Sequence, residues 1–386
     1  MFELFFLHFL NDGIRTSFIS LLPFISKELH LSFIEVGLIG ASQGLLSTIL
    51  SIPAGFLAAR IGGIKLLLLS IVIYSLGAVG ISLTHDFFSL ILLFYFGASG
   101  FGMFHSVGWA QIAKLSSGKK VGRNMGNFTA FGDIGRITIP TASIFLAFYI
   151  GWHFMYAILG IIGLFFFTLF RFKVFLPNNA SIKLLNINSK LNIKDWFREI
   201  FHLLKQKNLR LILISGGLDN LAGNSIYIFL PFLLLHRGIT PAFLGIFIGV
   251  FLLGSLIGKS LLGRGADKFG NIAVLIFAEF MMACFLIILS FSNQLIVFFI
   301  ASLMLGFFTR GTNPVISALF SGVTKQKHYE KVFGVSETFL SITSAIGPVT
   351  LGVFADKLGI TSVFQVSALF AILALFPIVF LRYYAS

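Results

Sequence analysis

An acid and a base stand three residues apart at Asp12 and Arg15, next to Asn11, in a segment that is otherwise apolar. On one helix this spacing brings both charges to the same face, where each partly neutralises the other. The carboxylate suits a proton carrier and the guanidinium suits an anion, while the two together also suit a purely structural ion pair. Asp133 and Arg136 repeat the spacing and leave the same choice open. Asp219, followed by Asn220, has no base three or four residues away, so its partner must come from another helix or from water. Arg310, close to Thr312 and Asn313, is expected either to pair with Asp219 or to bind an anionic solute. His105 lies one turn before Trp109; a ring that titrates near neutral pH then adjoins a stacking face, or simply packs.

Of the 386 residues, 57% are hydrophobic and 11% charged, with a mean hydropathy of +0.97. Apolar runs recur end to end at about 20 residues, the length a helix needs to cross about 30 Å of hydrocarbon. A charge at the bilayer centre costs about 2.5 to 3.5 kcal/mol, so the polar residues must face a bundle interior or a watery cavity. Spans are predicted at 2–25, 34–59, 66–83, 87–112, 124–150, 153–170, 211–235, 242–262, 272–290, 295–319, 332–354 and 362–381, which makes twelve. Alternate connections carry 21 and 3 Lys and Arg residues. That bias predicts a multi-pass protein of the cytoplasmic membrane, with both termini and the long middle loop in the cytoplasm. The formal charge of +14 follows this membrane asymmetry, so no nucleic-acid partner is expected. The first segment carries Glu3, Asp12 and Arg15, lacks a small-residue cleavage site, and is expected to be a span rather than a cleaved signal. The single cysteine, Cys284, lies in an apolar run, so neither a disulfide framework within the chain nor a metal cluster is expected.

A gap-free shift of 208 residues aligns the two ends of the chain with each other. It matches Leu22-Pro23-Phe24 with Leu230-Pro231-Phe232, Gly37 with Gly245, Gly55 with Gly263, Gly62 with Gly270, Gly126 with Gly334, Pro140 with Pro348 and Gly151 with Gly359. Glycine and proline at matched intervals repeat the same turns and close helix contacts. The expected organisation is therefore an N-terminal six-helix half over 1–170, a basic cytoplasmic linker over 171–210, and a C-terminal six-helix half over 211–386. Within the linker, 193–205 has apolar residues at helical spacing with Lys and Arg between them, which predicts a short amphipathic helix on the inner membrane surface.

The matched loops read Gly55-Phe56-Leu57-Ala58-Ala59-Arg60-Ile61-Gly62 and Gly263-Arg264-Gly265-Ala266-Asp267-Lys268-Phe269-Gly270. Glycine, an acid-base pair and glycine after the second span of each half resemble the signature loop of the major facilitator superfamily. The resemblance implies an all-α membrane protein with twelve transmembrane helices in two halves, the major facilitator fold. It implies gating roles for Gly55, Arg60, Gly62, Gly263, Asp267, Lys268 and Gly270. Glu337, near the cytoplasmic end of span eleven, is expected to serve the gate by its position. Ala59 replaces the acid of the first loop, so the N-terminal latch should be weakened. The family architecture would line the cavity with spans one, four, seven and ten, and would leave Glu279, in span nine, at the periphery. Lys259, near the end of span eight, is expected to snorkel. His8-Phe9-Leu10-Asn11-Asp12 and Gly100-Phe101-Gly102-Met103-Phe104-His105-Ser106 look like the fosmidomycin-resistance branch of drug efflux proteins.

The combined expectation is a monomeric secondary transporter that exports a small organic solute in exchange for protons. It would need no cofactor beyond the proton gradient. Uptake of an anionic metabolite is the alternative, because Arg15, Arg136 and Arg310 suit carboxylate or phosphate. The chain lacks a His-Glu-x-x-His motif, paired cysteines and a nucleophile elbow, so an enzyme is not expected.

Overall fold

The computed structural model describes residues 1–116, 120–174, 205–323 and 329–385. The expected amphipathic helix of the linker lies outside them. The described residues form helices and no strands, as a chain must when lipid leaves every backbone polar group to be satisfied within its own segment.

The N-terminal half consists of α1 (Phe2–Ser20), α2 (Leu22–Leu29), α3 (Phe33–Ile61), α4 (Gly63–Ile81), α5 (Phe87–Leu115), α6 (Lys120–Ile150) and α7 (Trp152–Val174). The C-terminal half consists of α8 (Lys207–Gly223), α9 (Ile226–His236), α10 (Leu244–Phe269), α11 (Asn271–Phe291), α12 (Leu295–Gly311), α13 (Asn313–Gly322), α14 (Tyr329–Leu358) and α15 (Thr361–Ala385). Among the described residues, eleven segments are long and apolar enough to cross a membrane. The twelfth predicted span is the charged pair α1 and α2, which together run from Phe2 to Leu29.

Spans one, seven and ten are each built of two helices. In the first, Pro23 follows the joint at Leu21 and has no N–H for the carbonyl of Ile19. In the tenth, Pro314 opens α13 and leaves the carbonyl of Arg310 without its helical partner. The seventh breaks at Asn224 and Ser225, where a polar pair follows Gly223.

The repeat seen in the sequence is a repeat of joints. Gly62, Gly151, Gly270 and Gly359 all take left-handed φ, at 97°, 84°, 87° and 84°. Each turns the chain between two spans, 2 to 3, 5 to 6, 8 to 9 and 11 to 12, and a side chain there would meet its own carbonyl.

The two ends of the bundle differ. At the end away from the termini, Gly37 meets the backbone of Pro348 and Val349, and Gly352 meets that of Phe33 and Ile34, so α3 and α14 touch without intervening side chains. Asp356 of α14 caps the first turn of α3, accepting from the N–H groups of Phe33 (2.7 Å) and Ile34 (2.9 Å). Tyr227 of α9 donates to the carbonyl of Thr16 (3.2 Å) and hydrogen-bonds Ser20, both on α1. At the end that carries the termini, the repeat mates Gly55 and Gly263, and Gly126 and Gly334, have no neighbour within 4 Å of the place a Cβ would take. Among the described residues, the halves close on each other at the first end, while these four glycine positions at the second, open, end face free space.

Candidate functional site

Asp12 is fully buried on α1, and its partner is not Arg15. Oδ2 meets Arg136 Nη2 of α6 at 2.5 Å and His8 Nε2 at 3.1 Å, while Oδ1 meets His105 Nε2 of α5 at 3.0 Å. Asn11 also donates to Oδ1, at 3.0 Å. The expected pairing within one helix fails because a salt bridge from α6 reaches the carboxylate first. Arg15 turns instead to Gln43 of α3, donating to its Oε1 (3.2 Å) and receiving its amide on the Arg15 carbonyl (2.7 Å).

The pairing of Asp133 with Arg136 holds, with Nη1 to Oδ1 at 3.0 Å. It does not stand alone. Lys259 of α10 reaches the same Asp133 oxygen at 3.1 Å, so a residue expected to snorkel to the surface instead crosses between the halves. The chain of charges Asp12, Arg136, Asp133, Lys259 thus ties α1 and α6 to α10 midway through the bundle. Arg136, His105 and Lys259 keep about a quarter of their side-chain surface exposed, at 25%, 27% and 26%, so this chain is not fully enclosed.

His8 was not singled out by type or spacing, although it lies one turn from Asp12 on the same face. Its Nδ1 donates to the carbonyl of Phe128 (2.7 Å) and its ring stacks on Phe128 with centroids 3.9 Å apart. That bond fixes the ring so that Nε2 points at Asp12 and His105. The ligand atoms of His8, Asp12 and His105 lie within 4.8 Å of one another, a donor set of the kind that holds a metal ion. Here the Arg136 guanidinium already occupies the cation position on Asp12, so the set does not fit a resident metal. Trp109 sets its edge on Phe128, 5.2 Å between centroids, and packs behind the histidines.

In the C-terminal half, Arg310 does not pair with Asp219. Its guanidinium lies over the ring of Tyr227, 5.3 Å from the centroid, and its Nε is buried without a hydrogen-bond partner. Among the described residues neither Arg15 nor Arg310 has a carboxylate partner, and Arg15, Arg136 and Arg310 lie within electrostatic reach of one another. Asn220 donates to the Leu340 carbonyl (3.2 Å) and accepts from Asn224, which tie the break of span seven to α14. Asn313 is exposed at the start of α13.

Asp219 is 2% exposed and accepts from Thr312 Oγ1 at 3.1 Å. Its carboxyl also faces Glu279 of α11 within hydrogen-bonding reach. Glu279 is therefore not at the periphery: it is fully buried, and neither of its oxygens meets an N–H or a hydroxyl among the described residues. Span nine turns this one acid inward because lipid would penalise it outside.

The residues expected at the gate sit around the open end. Arg60, Asp267, Lys268 and Glu337 are exposed, and Lys268 lies over its neighbour Phe269 at 5.1 Å. Asp267 makes no ion pair among the described residues.

A family model described as Major Facilitator Superfamily matches residues 4–216 and 212–385. The nitrite extrusion protein of Bacillus subtilis (strain 168) is 28% identical, over 92% of this chain and 84% of its own length. The probable nitrate transporter NarT of Staphylococcus epidermidis is 26% identical, over 85% of this chain and 80% of its own. Among solved structures, a bacterial homolog of the human lysosomal transporter Spinster, inward-facing and unoccupied, superposes with a TM-score of 0.81 at 14% identity, covering 99% of this chain and 96% of that one. The nucleoside transporter NupG gives 0.82 at 13% identity, covering 99% and 98%.

Proposed function

Because the chain belongs to the major facilitator superfamily, whose members are transporters rather than enzymes, we propose that it is a secondary active transporter carrying a small anion by alternating access. The observation that carries this reading is the pair Arg15 and Arg310, one from each half, with no carboxylate partner among the described residues. A guanidinium left without a counter-ion inside a membrane protein calls for a charge supplied from elsewhere, and a planar anion matches its fork of donors. Arg136 and Lys259 add two more cations close by, against Asp12 and Asp133. The excess of positive charge narrows the expected organic solute to an anion. The names of the nitrite extrusion protein and the probable nitrate transporter support a small inorganic one.

In this reading the coupling ion is the proton and the direction is outward. Asp12 exchanges protons with His105, whose partial exposure links the buried acid to water. Export is supported by the nitrite extrusion relative and by the likeness of the His8 to Asp12 and Gly100 to Ser106 stretches to the fosmidomycin-resistance branch. Both termini lie in the cytoplasm, as the 21 to 3 bias of basic residues supports, and the open end is then the inner one. The unit of transport is the monomer.

The test is flux and binding of nitrate and nitrite in proteoliposomes, in both orientations, with and without a pH gradient. A charge-assisted hydrogen bond contributes about 1.5 to 3 kcal/mol, so Arg15→Gln and Arg310→Gln should each weaken anion affinity about tenfold to a hundredfold. Unchanged affinity in both variants would sink the anion reading.

A further inference from the structure

We propose that Asp219 and Glu279 share one proton and form a proton-binding site of the C-terminal half, separate from the charge chain around Asp12. The inference rests on the transport reading only for its role in coupling; the shared proton follows from the packing.

The repeat puts Asn11 and Asp219 at equivalent positions, and likewise Asp12 and Asn220, 208 residues apart. The two acids therefore sit one residue out of register, at about the same depth in their halves. Their surroundings are opposite. Asp12 is met by a guanidinium and two imidazoles; Asp219 is met by another acid and a hydroxyl.

Among the described residues no cation pairs with either acid. Arg310 of α12 lies over Tyr227, Lys259 of α10 pairs with Asp133, and Glu337 of α14 is exposed. Asp356, also on α14, caps α3 at the far end. Between Thr361 and Leu381, α15 has no charged residue, and α11 has none but Glu279.

Two ionised carboxylates in this place would repel each other and would both be stripped of water with no cation to compensate. A proton between them removes one charge and supplies the donor that Glu279 lacks, leaving a single charge that Thr312 stabilises through its hydroxyl. Thr312 is the joint of the broken tenth span, where Pro314 has already freed the Arg310 carbonyl. A shift at that joint withdraws the hydroxyl from Asp219 and opens the pair to water, which gives the proton a way in or out as the halves rock.

Infrared difference spectroscopy of the full chain in detergent, in H₂O and D₂O, reads the proton directly. Wild type minus Asp219→Asn/Glu279→Gln should lose one acid C=O band that shifts in D₂O, together with one carboxylate band. Loss of two acid bands, or of two carboxylate bands and no acid band, would overturn the shared proton. The isosteric amides keep the volume and hydrogen-bonding capacity of the site, and Thr312→Val, which leaves both acids in place, should retain the acid band. In proteoliposomes, the ratio of pH-driven nitrate accumulation to nitrate exchange should fall at least tenfold in Glu279→Gln; an unchanged ratio would remove the pair from coupling. If wild type moves no nitrate, the anion reading fails, while the infrared bands still decide the proton.

Discussion

Asp12 is completely buried, yet Asn11, His8, His105 and Arg136 all converge on it. Their types were readable along the chain, but their meeting was not. Spacing pointed to Arg15 as the partner, since residues three apart share a helix face. The side chain of Arg136 comes from 124 positions away and takes the place. Removing one member of a buried pair costs about 3 to 5 kcal/mol, because the other charge is stranded. Arg136→Gln should fall near the lower figure, given its 25% exposure. Adding Asp12→Asn should recover most of the loss, since the stranded charge is then gone. Thermal unfolding of the two variants against wild type checks this, and equal melting of single and double variants would refute it.

Among the helices, those that bend or break carry the most information. Spans one and ten are broken next to a proline, and Arg310 and Thr312 lie at the tenth break, so the proline that interrupts the helix also frees backbone and polar side chains for the site. The four left-handed glycines do the opposite, fixing each pair of spans in one hairpin. Gly270→Ala puts a Cβ into a positive-φ, extended-ψ conformation that costs about 1 to 3 kcal/mol. Gly263→Ala, inside α10 with open space around it, should gain about 0.5 to 1 kcal/mol from helix propensity. The two residues belong to one signature loop and should move the melting temperature in opposite directions. A similar loss at both positions would mean that Gly263 also meets a neighbour.

For the molecule as a whole, the closed end is held by backbone contacts between α3 and α14 and by Asp356 on the first turn of α3. The carboxylate answers the free N–H groups and the positive end of the helix. Its counterpart in the repeat is Phe148, so this closure is built on one side only. Asp356→Ala removes a cap worth about 1 kcal/mol, which should shift the balance of the two forms about fivefold toward opening at this end. Spin labels at Phe154 and Leu358, two exposed positions on opposite halves, would report the added population of longer distances. No change in the distance distribution would show that backbone packing alone keeps the end shut.

The sequence by itself determined the class of the molecule. Hydrophobic length, basic-residue bias and the 208-residue repeat are properties of single segments and their order, and each follows from the thickness and polarity of a bilayer. The ion pair of Asp133 with Arg136 was legible for the same reason, being local to one helix. Only the tertiary structure decided which charges meet. It gave Asp12 to Arg136, joined Lys259 to Asp133, left Arg15 and Arg310 without carboxylates among the described residues, and turned Glu279 inward against Asp219. In a low-dielectric interior the nearest opposite charge or proton prevails, and what is nearest depends on how helices from distant parts of the chain pack.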